Sequence, residues 1–281
     1  MKTTAAVLRG HDQPYTIESI DLRDLRPHEV LVRIVAAGMC HTDVLPRVPG
    51  FIAAPPIVAG HEGAGVVEAI GGDVTRVAVG DHVVLSFDSC GTCANCNAGQ
   101  PAYCDTFIVR NLFGRELDGT NTATDADGAP VAARWFGQSS FASHAITTER
   151  NTVVVDKSLP LEKLGPLGCG IQTGAGSILG ALDVQPGTSV AVFGAGAVGL
   201  AAVMAAKVAG ATTIVAGAAV AALGGAGGCD TPLRYSCHRR AAVARCSAVG
   251  LPAWQRPSHC VFPPMRTRPW PLDRSTRTQG A

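Results

Sequence analysis

An all-β barrel module followed by an incomplete α/β domain is the fold that this 281-residue sequence predicts, and three observations predict it. Short runs rich in β-branched residues, punctuated by Gly and Pro, fill the chain up to about Asn151. Four cysteines, Cys90, Cys93, Cys96 and Cys104, fall in one turn-rich stretch at the spacing C-x2-C-x2-C-x7-C. Farther on, the apolar run Thr188-Ser-Val-Ala-Val-Phe leads straight into Gly194-Ala-Gly-Ala-Val-Gly199. Length alone favours two domains over one.

In the β module, Glu29-Val-Leu-Val-Arg-Ile-Val-Ala-Ala alternates in part and reads as a strand, as do Ile57-Val and Gly63-Ala-Gly-Val-Val-Glu-Ala-Ile. Asp81-His-Val-Val-Leu adds another, entered through the turn Val79-Gly-Asp, and the cysteine stretch is an excursion from this framework. After about Asn151 the pattern changes. Ser158-Leu-Pro-Leu-Glu-Lys-Leu-Gly begins a helical stretch, residues 173–182 read as a small-residue helix, and Asp183-Val-Gln-Pro-Gly makes a turn. Beyond the glycines come a helix over 200–209, ended by Gly210, and a second strand, Thr212-Thr-Ile-Val-Ala. The expected boundaries are 1–175 for the β module, 176–217 for the α/β part and 218–281 for a divergent, disordered tail.

A composition of 47% hydrophobic and 16% charged residues suits a globular chain and excludes a wholly disordered one. The first twelve residues hold no apolar core long enough for a signal peptide, so reduced thiols, metal ligands and a cytoplasmic location are expected. Residues 188–206 carry no charge and could span a bilayer by length, but Ala and Gly dominate them; the glycine turn explains them better, and no membrane partner is expected. The net charge of +1 is unevenly spread, −6 over 1–216 and +7 over 217–281. A basic nucleic-acid-binding tail is one cause of such polarity, but it is not the one favoured here.

Four thiolates in so short a segment can close a tetrahedron around one zinc, with no corner left for water, which makes that site structural. Two disulfides are the alternative, against which stand the spacing and the absence of an export signal. A Gly-x-Gly-x-x-Gly turn between a strand and a helix is the setting of a dinucleotide site: Gly194 permits the tight turn, Gly196 lets a pyrophosphate approach the backbone, and Gly199 lets helix and strand pack closely. Three further candidate ligands, Cys40, His61 and Cys169, lie outside the cysteine stretch in the frames Gly38-Met-Cys-His-Thr-Asp43, Ala59-Gly-His-Glu-Gly-Ala-Gly65 and Gly165-Pro-Leu-Gly-Cys-Gly170. A Cys2His set leaves zinc's fourth position open, where a bound hydroxyl becomes acidic enough to lose its proton near neutral pH. Taken singly, the cysteines also read as small buried hydrophobes and the histidine as structural.

Together these motifs resemble the zinc-dependent, medium-chain alcohol dehydrogenases. The resemblance rests on Gly60-His-Glu-x2-Gly65-x5-Gly71-x2-Val74, the four-cysteine lobe and Gly194-x-Gly-x-x-Gly199, and it covers roughly residues 1–216. Cys40-His-Thr-Asp, Gln100-Pro-Ala-Tyr-Cys, Arg110-Asn-Leu-Phe-Gly and Gly168-Cys-Gly-Ile-Gln-Thr-Gly-Ala-Gly look like the aryl-alcohol (benzyl-alcohol) branch. The resemblance implies a GroES-like β-barrel catalytic domain followed by a Rossmann domain, here incomplete. It implies two zinc ions per subunit, one catalytic on Cys40, His61 and Cys169 and one structural on the lobe, with NAD as cofactor and NADP left open. It places Glu62 behind the catalytic metal and Asp43 on the far nitrogen of His61. It makes Thr42 the acceptor of the alcohol proton, and sets His41 near the cofactor pyrophosphate and Thr173 near the nicotinamide. Many relatives relay the proton through a histidine three positions past the Thr; Leu45 stands there in this chain. The implied partners are a small-molecule alcohol or aldehyde, a primary and aromatic one, and further copies of the chain, since relatives are homo-oligomers. A dehydrogenase of thiol–formaldehyde adducts or reductase of S-nitrosothiols, and a non-catalytic zinc-binding remnant, are the alternative functions.

Past Ala216 the resemblance stops. No acid for the adenosine ribose stands in Ala216-Gly-Ala-Ala-Val-Ala. Residues 229–281 show no helical or strand period and hold 7 Pro, 9 Arg, 4 Cys and no Lys, as an out-of-frame reading of a GC-rich gene would. A frame slip near codon 217 is therefore expected, with a genuine Arg-rich tail as the alternative. On this reading only two strands of the second sheet remain and activity of the encoded chain is in question.

Overall fold

The structure, a computed structural model, describes residues 1–217 and 242–245. Ten strands build the first unit: β1 (Lys2–Leu8), β2 (Tyr15–Leu22), β3 (Glu29–Gly38), β4 (Ile57–Val58), β5 (Glu62–Ile70), β6 (His82–Leu85), β7 (Ala123–Thr124), β8 (Pro130–Val131), β9 (His144–Thr148) and β10 (Thr152–Val154). Two short helices, α1 (Ala94–Asn97) and α2 (Phe107–Leu112), lie in the excursion between β6 and β7. The strands form two five-stranded sheets, ordered β4-β1-β2-β7-β8 and β10-β6-β5-β3-β9. Alternation along each strand sends one set of side chains inward: Ala5, Val7, Ile20 and Leu22 of the first sheet meet Leu31 and Ile146 of the second. The other face of the second sheet closes over Val30, Val32, Val67, Val83 and Leu85, capped by Val74 and Val77.

One end of this barrel is ionic. Glu29, wholly buried at the start of β3, accepts from Arg23 Nη1 and Nη2 at 2.7 and 2.8 Å and from the Arg26 N–H at 2.8 Å. Arg23 also reaches Glu116 at 2.5 Å. Buried Arg134 lies 3.3 Å from Glu116 and 3.4 Å from buried Asp88, which Arg110 of α2 also meets at 3.0 Å. Asp88 opens the cysteine stretch, so the same network roots that excursion in the barrel.

The second unit comprises α3 (Gly170–Gly176), continued by one looser turn (Ser177–Ala181), β11 (Ser189–Phe193), α4 (Ala197–Val208), β12 (Thr213–Gly217) and β13 (Ala242–Arg245). Strands β11 and β12 pair in parallel, Ser189 opposite Thr213, and Ala202, Ala205 and Ala206 of α4 pack on Val190, Val192 and Ile178. Methyl side chains let the helix lie close to the sheet. The uncharged run 188–206 is therefore divided between a strand and a helix, and among the described residues no helix is long and apolar enough to cross a membrane.

Two sequence expectations change. The helix begun at Ser158 is instead two separate 3-10 turns, Leu161–Lys163 and Gly165–Gly168, because Pro160 and Pro166 each lack the N–H and the freedom that a continuous helix requires. A strand was not expected beyond residue 229, yet β13 pairs antiparallel with β11, Val192 opposite Val243, and makes the second sheet three-stranded. The rest of the expected tail lies outside the described residues.

Candidate metal centre

Three chain reversals bring Cys40, His61 and Cys169 together. Cys40 follows β3 and opens the turn His41–Arg47; His61 immediately precedes β5; Cys169 stands at the head of α3. Gly60 makes the second reversal possible: its φ of +90° favours glycine, and a Cβ there would strike Phe141 at 2.5 Å. The ligand atoms of Cys40, His61, Glu62 and Cys169 all lie within 4.8 Å of one another. His61 Nε2 is 3.2 Å from Cys169 Sγ, which is 4.0 Å from Cys40 Sγ. Glu62 reaches into the cluster and accepts from the Gly170 N–H at 3.1 Å. Its carboxylate thus stands among the ligand atoms, as a candidate for the fourth corner.

Asp43 fixes the imidazole. Its Oδ1 lies 2.8 Å from His61 Nδ1, which leaves Nε2 facing the thiols. The hydrogen bond with Cys169, then that with His61, hold the Cys40 thiol down at about 3, while the same contact with Cys40, together with burial, pushes Cys169 up. Burial opposes the charged form of His61, but Asp43 and Cys40 outweigh it and lift the ring to about 9. A cation entering among these groups would displace the protons on the Cys169 thiol and on Nε2.

The second cluster is the cysteine lobe, where the four sulfurs also lie within 4.8 Å of one another. Two thiolates bound tetrahedrally at ~2.3 Å from one ion sit about 3.8 Å apart. Cys90 and Cys96 are 3.9 Å apart and Cys40 and Cys169 4.0 Å, both close to that separation and far from the ~2.05 Å of a disulfide. Backbone N–H groups of Thr92 and Cys93 point at Cys90 Sγ from 3.4 and 3.3 Å and pull its thiol down to about 5, whereas burial pushes Cys96 up to about 11.

Of the other candidate residues, Thr42 Oγ1 is 3.5 Å from Cys40 Sγ, His41 is exposed beside it, and exposed Thr173 donates to the Cys169 carbonyl at 2.8 Å. Leu45 packs toward Trp135 and the Leu8–Ile57 cluster. The glycine turn joins β11 to α4: Gly196 caps the helix with open space where a Cβ would stand, and a Cβ on Gly199 would overlap the Gly194 carbonyl at 1.7 Å. Open space at a helix N-terminus is what a pyrophosphate requires.

Residues 26–157 match the alcohol dehydrogenase GroES-like domain. Over those residues the chain is similar to the alcohol dehydrogenases. A geraniol dehydrogenase of Castellaniella defragrans is 47% identical to this chain over 211 residues, 75% of this chain and 56% of that protein. Among solved structures, an alcohol dehydrogenase zinc-binding domain protein of Burkholderia ambifaria is 53% identical with a TM-score of 0.75. A benzyl alcohol dehydrogenase of Acinetobacter calcoaceticus is 47% identical with a TM-score of 0.72, and each match covers 77% of this chain and 58% of the other. The chain thus spans little more than half the length of these alcohol dehydrogenases.

Sequence reasoning missed the plate behind His61 in this GroES-like domain. Trp135 donates from Nε1 to Asp43 at 3.0 Å, Phe136 stacks on the imidazole with centroids 4.5 Å apart, and buried Gln138 donates to the His61 carbonyl at 2.9 Å. Phe136 and Gln138 touch His61 itself and Trp135 touches its carboxylate partner, but in the sequence Trp135-Phe-Gly-Gln138 reads equally well as core.

Proposed function

We propose that this chain is the zinc-holding part of a dehydrogenase that moves hydride between a primary alcohol and NAD, giving the aldehyde, NADH and a proton. The observation that carries the reading is the Cys40–His61–Cys169 cluster with Nε2 turned toward the thiols by Asp43. The donor set suits zinc, which would be held by those three residues and would supply Lewis acidity toward an oxygen of the substrate. Asp43 keeps Nδ1 occupied so that only Nε2 is offered to the metal. Thr42 Oγ1, next to Cys40, takes the proton of the alcohol and passes it outward. Glu62, whose carboxylate lies within the same cluster, would be a further donor to the metal. The four-cysteine lobe would hold a second zinc whose part is shape alone, since its corners are all sulfur.

The substrate class is a primary alcohol whose carbinol carbon adjoins a double bond or an aromatic ring, as in geraniol and benzyl alcohol, which name two similar proteins. NAD would set its pyrophosphate against Gly194–Gly199 at the head of α4. A second reading, a zinc-binding unit without turnover, is favoured by one observation: β12 ends at Gly217 with no acid on it for the ribose. The zinc-loaded chain should carry two zinc ions, one per cluster. With NAD it should form NADH from benzyl alcohol or geraniol, and His61→Ala should abolish this while keeping the lobe's zinc. Two bound zincs without NADH formation would establish the second reading, and a single zinc indifferent to His61→Ala would refute both roles of the cluster.

A further inference from the structure

The plate behind His61 is built at a cost, and its geometry is directed. Phe136 adopts φ 52°, ψ 34°, a left-handed conformation that is strained for a residue with a side chain. Ser139 follows at φ 55°. The run is held in that shape from outside: the Trp135 N–H donates to Ser139 Oγ at 2.8 Å, and Ser139 Oγ donates to the Val58 carbonyl at 2.6 Å. The outcome is that two successive aromatic rings address one imidazole by different means. Trp135, fully buried, donates its indole N–H to Asp43 Oδ1, the atom that also accepts from His61 Nδ1. Phe136 lies over the imidazole face at an interplanar angle of 28°. Its own position is set by Trp135, whose ring meets it edge-on at 5.2 Å. A core tryptophan needs some acceptor for its N–H, but any backbone carbonyl would serve. Here the acceptor is the carboxylate that orients a candidate ligand.

We propose that Trp135 and Phe136 are positioning residues for His61: the indole N–H pins the carboxylate that fixes the tautomer, and the Phe136 ring fixes the plane in which Nε2 points. Neither touches the metal. This rests on the reading of Cys40, His61 and Cys169 as a metal site. Without the indole N–H, Asp43 Oδ1 keeps two donors, His61 Nδ1 and the Gly60 N–H at 3.0 Å, and can swing with the loop that carries them. Without the stacked ring the imidazole gains freedom to tilt about its Cβ–Cγ bond.

The test uses the full chain loaded with Co2+, whose visible d–d bands report the geometry and donor set of each site. In the parent, the part of the spectrum lost in His61→Ala belongs to the Cys2His cluster and the remainder to the cysteine lobe. Trp135→Phe keeps an aromatic ring but removes the N–H. It should shift the His61-dependent bands and weaken Co2+ at that site by about tenfold in chelator competition, as loss of an outer partner of a metal-bound histidine does. Phe136→Leu should weaken it about threefold, the worth of an aromatic stack. In both, the lobe's bands should stay as in the parent, which reports an intact fold and excludes a general loss of structure as the cause. His61-dependent bands and affinity unchanged in both variants would overturn the proposal while leaving the metal reading intact. A parent with no His61-dependent bands would overturn the metal reading and the proposal with it. Should Trp135→Phe also lose the lobe's bands, partly buried Phe136 decides by the same two outcomes.

Discussion

Asp43 receives four N–H groups on two oxygens: His61 Nδ1, Trp135 Nε1 and the Gly60 N–H at Oδ1, and the Cys40 N–H at Oδ2. A carboxylate can accept them all, whereas an amide must present an NH2 to one side of this ring of donors. Asp43→Asn is therefore expected to destabilise the domain by about 1–3 kcal/mol, the cost of a buried donor left facing another. It should also weaken metal at the Cys40–His61–Cys169 cluster by roughly 10–100-fold. Urea unfolding and chelator competition measure the two effects separately, and unchanged values in both would remove Asp43 from its orienting role. At this scale the sequence was legible where chemistry is rare. Seven thiol and imidazole positions stood out because Cys and His in such frames have few other uses, and the structure brings each set together. Trp135 and Phe136 did not stand out, because nothing in a sequence says at which carboxylate an indole N–H is aimed.

The cysteine lobe and the β11–α4 turn are elements whose shape depends on single atoms. Two short helices and a string of turns hold the lobe, and α1 buries no residue, so its folding should be drawn largely from the metal it binds. Structural zinc contributes on the order of 10 kcal/mol in isolated zinc peptides. Cys93→Ser should thus lose one zinc of two and move the urea midpoint sharply downward; one zinc retained with an unmoved midpoint would contradict the lobe's assignment. In the other element, Gly199→Ala would force a methyl onto the Gly194 carbonyl and open the turn, so NAD binding measured by quenching or calorimetry should fall while zinc content holds. Strands β3, β5, β6, β11 and β12 were legible as β-branched runs between Gly and Pro. Strands β1 and β2 were not read, because Lys2-Thr-Thr-Ala-Ala-Val-Leu and Tyr15-Thr-Ile-Glu-Ser-Ile-Asp-Leu carry small and acidic residues among their apolar ones, and their seven-pair register supplies what local pattern lacks. Helix continuity after Ser158 was misread for the opposite reason: the apolar spacing suited a helix, and two prolines overrode it.

Across the whole molecule, stability should turn on acid. Burial alone would raise the Glu29 carboxyl, but the hydrogen bonds from Arg23 and the Arg26 N–H outweigh it and hold the group below its ordinary value of 4.5. A carboxyl depressed on folding stabilises the native chain fully above its unfolded value, and that contribution disappears as pH falls through the lower folded one. The urea midpoint should therefore be flat from neutrality to about pH 5 and fall below it. Glu29→Gln should cost roughly 1–3 kcal/mol at pH 7, since Arg23 loses a buried charged partner but keeps Glu116, and should flatten the acid limb; a limb as steep as the parent's would assign it to other carboxylates. The same ionic end of the barrel has a consequence for ionic strength. Its partners lie 2.5–3.4 Å apart and Glu29, Asp88, Glu116 and Arg134 are buried, so counterions cannot come between them. Raising salt from 0.1 to 1 M shortens the screening length from about 10 to 3 Å, which dissolves attraction across solvent but not contact behind protein. A chain held together at one end by charge should thus unfold in acid yet keep its urea midpoint in strong brine.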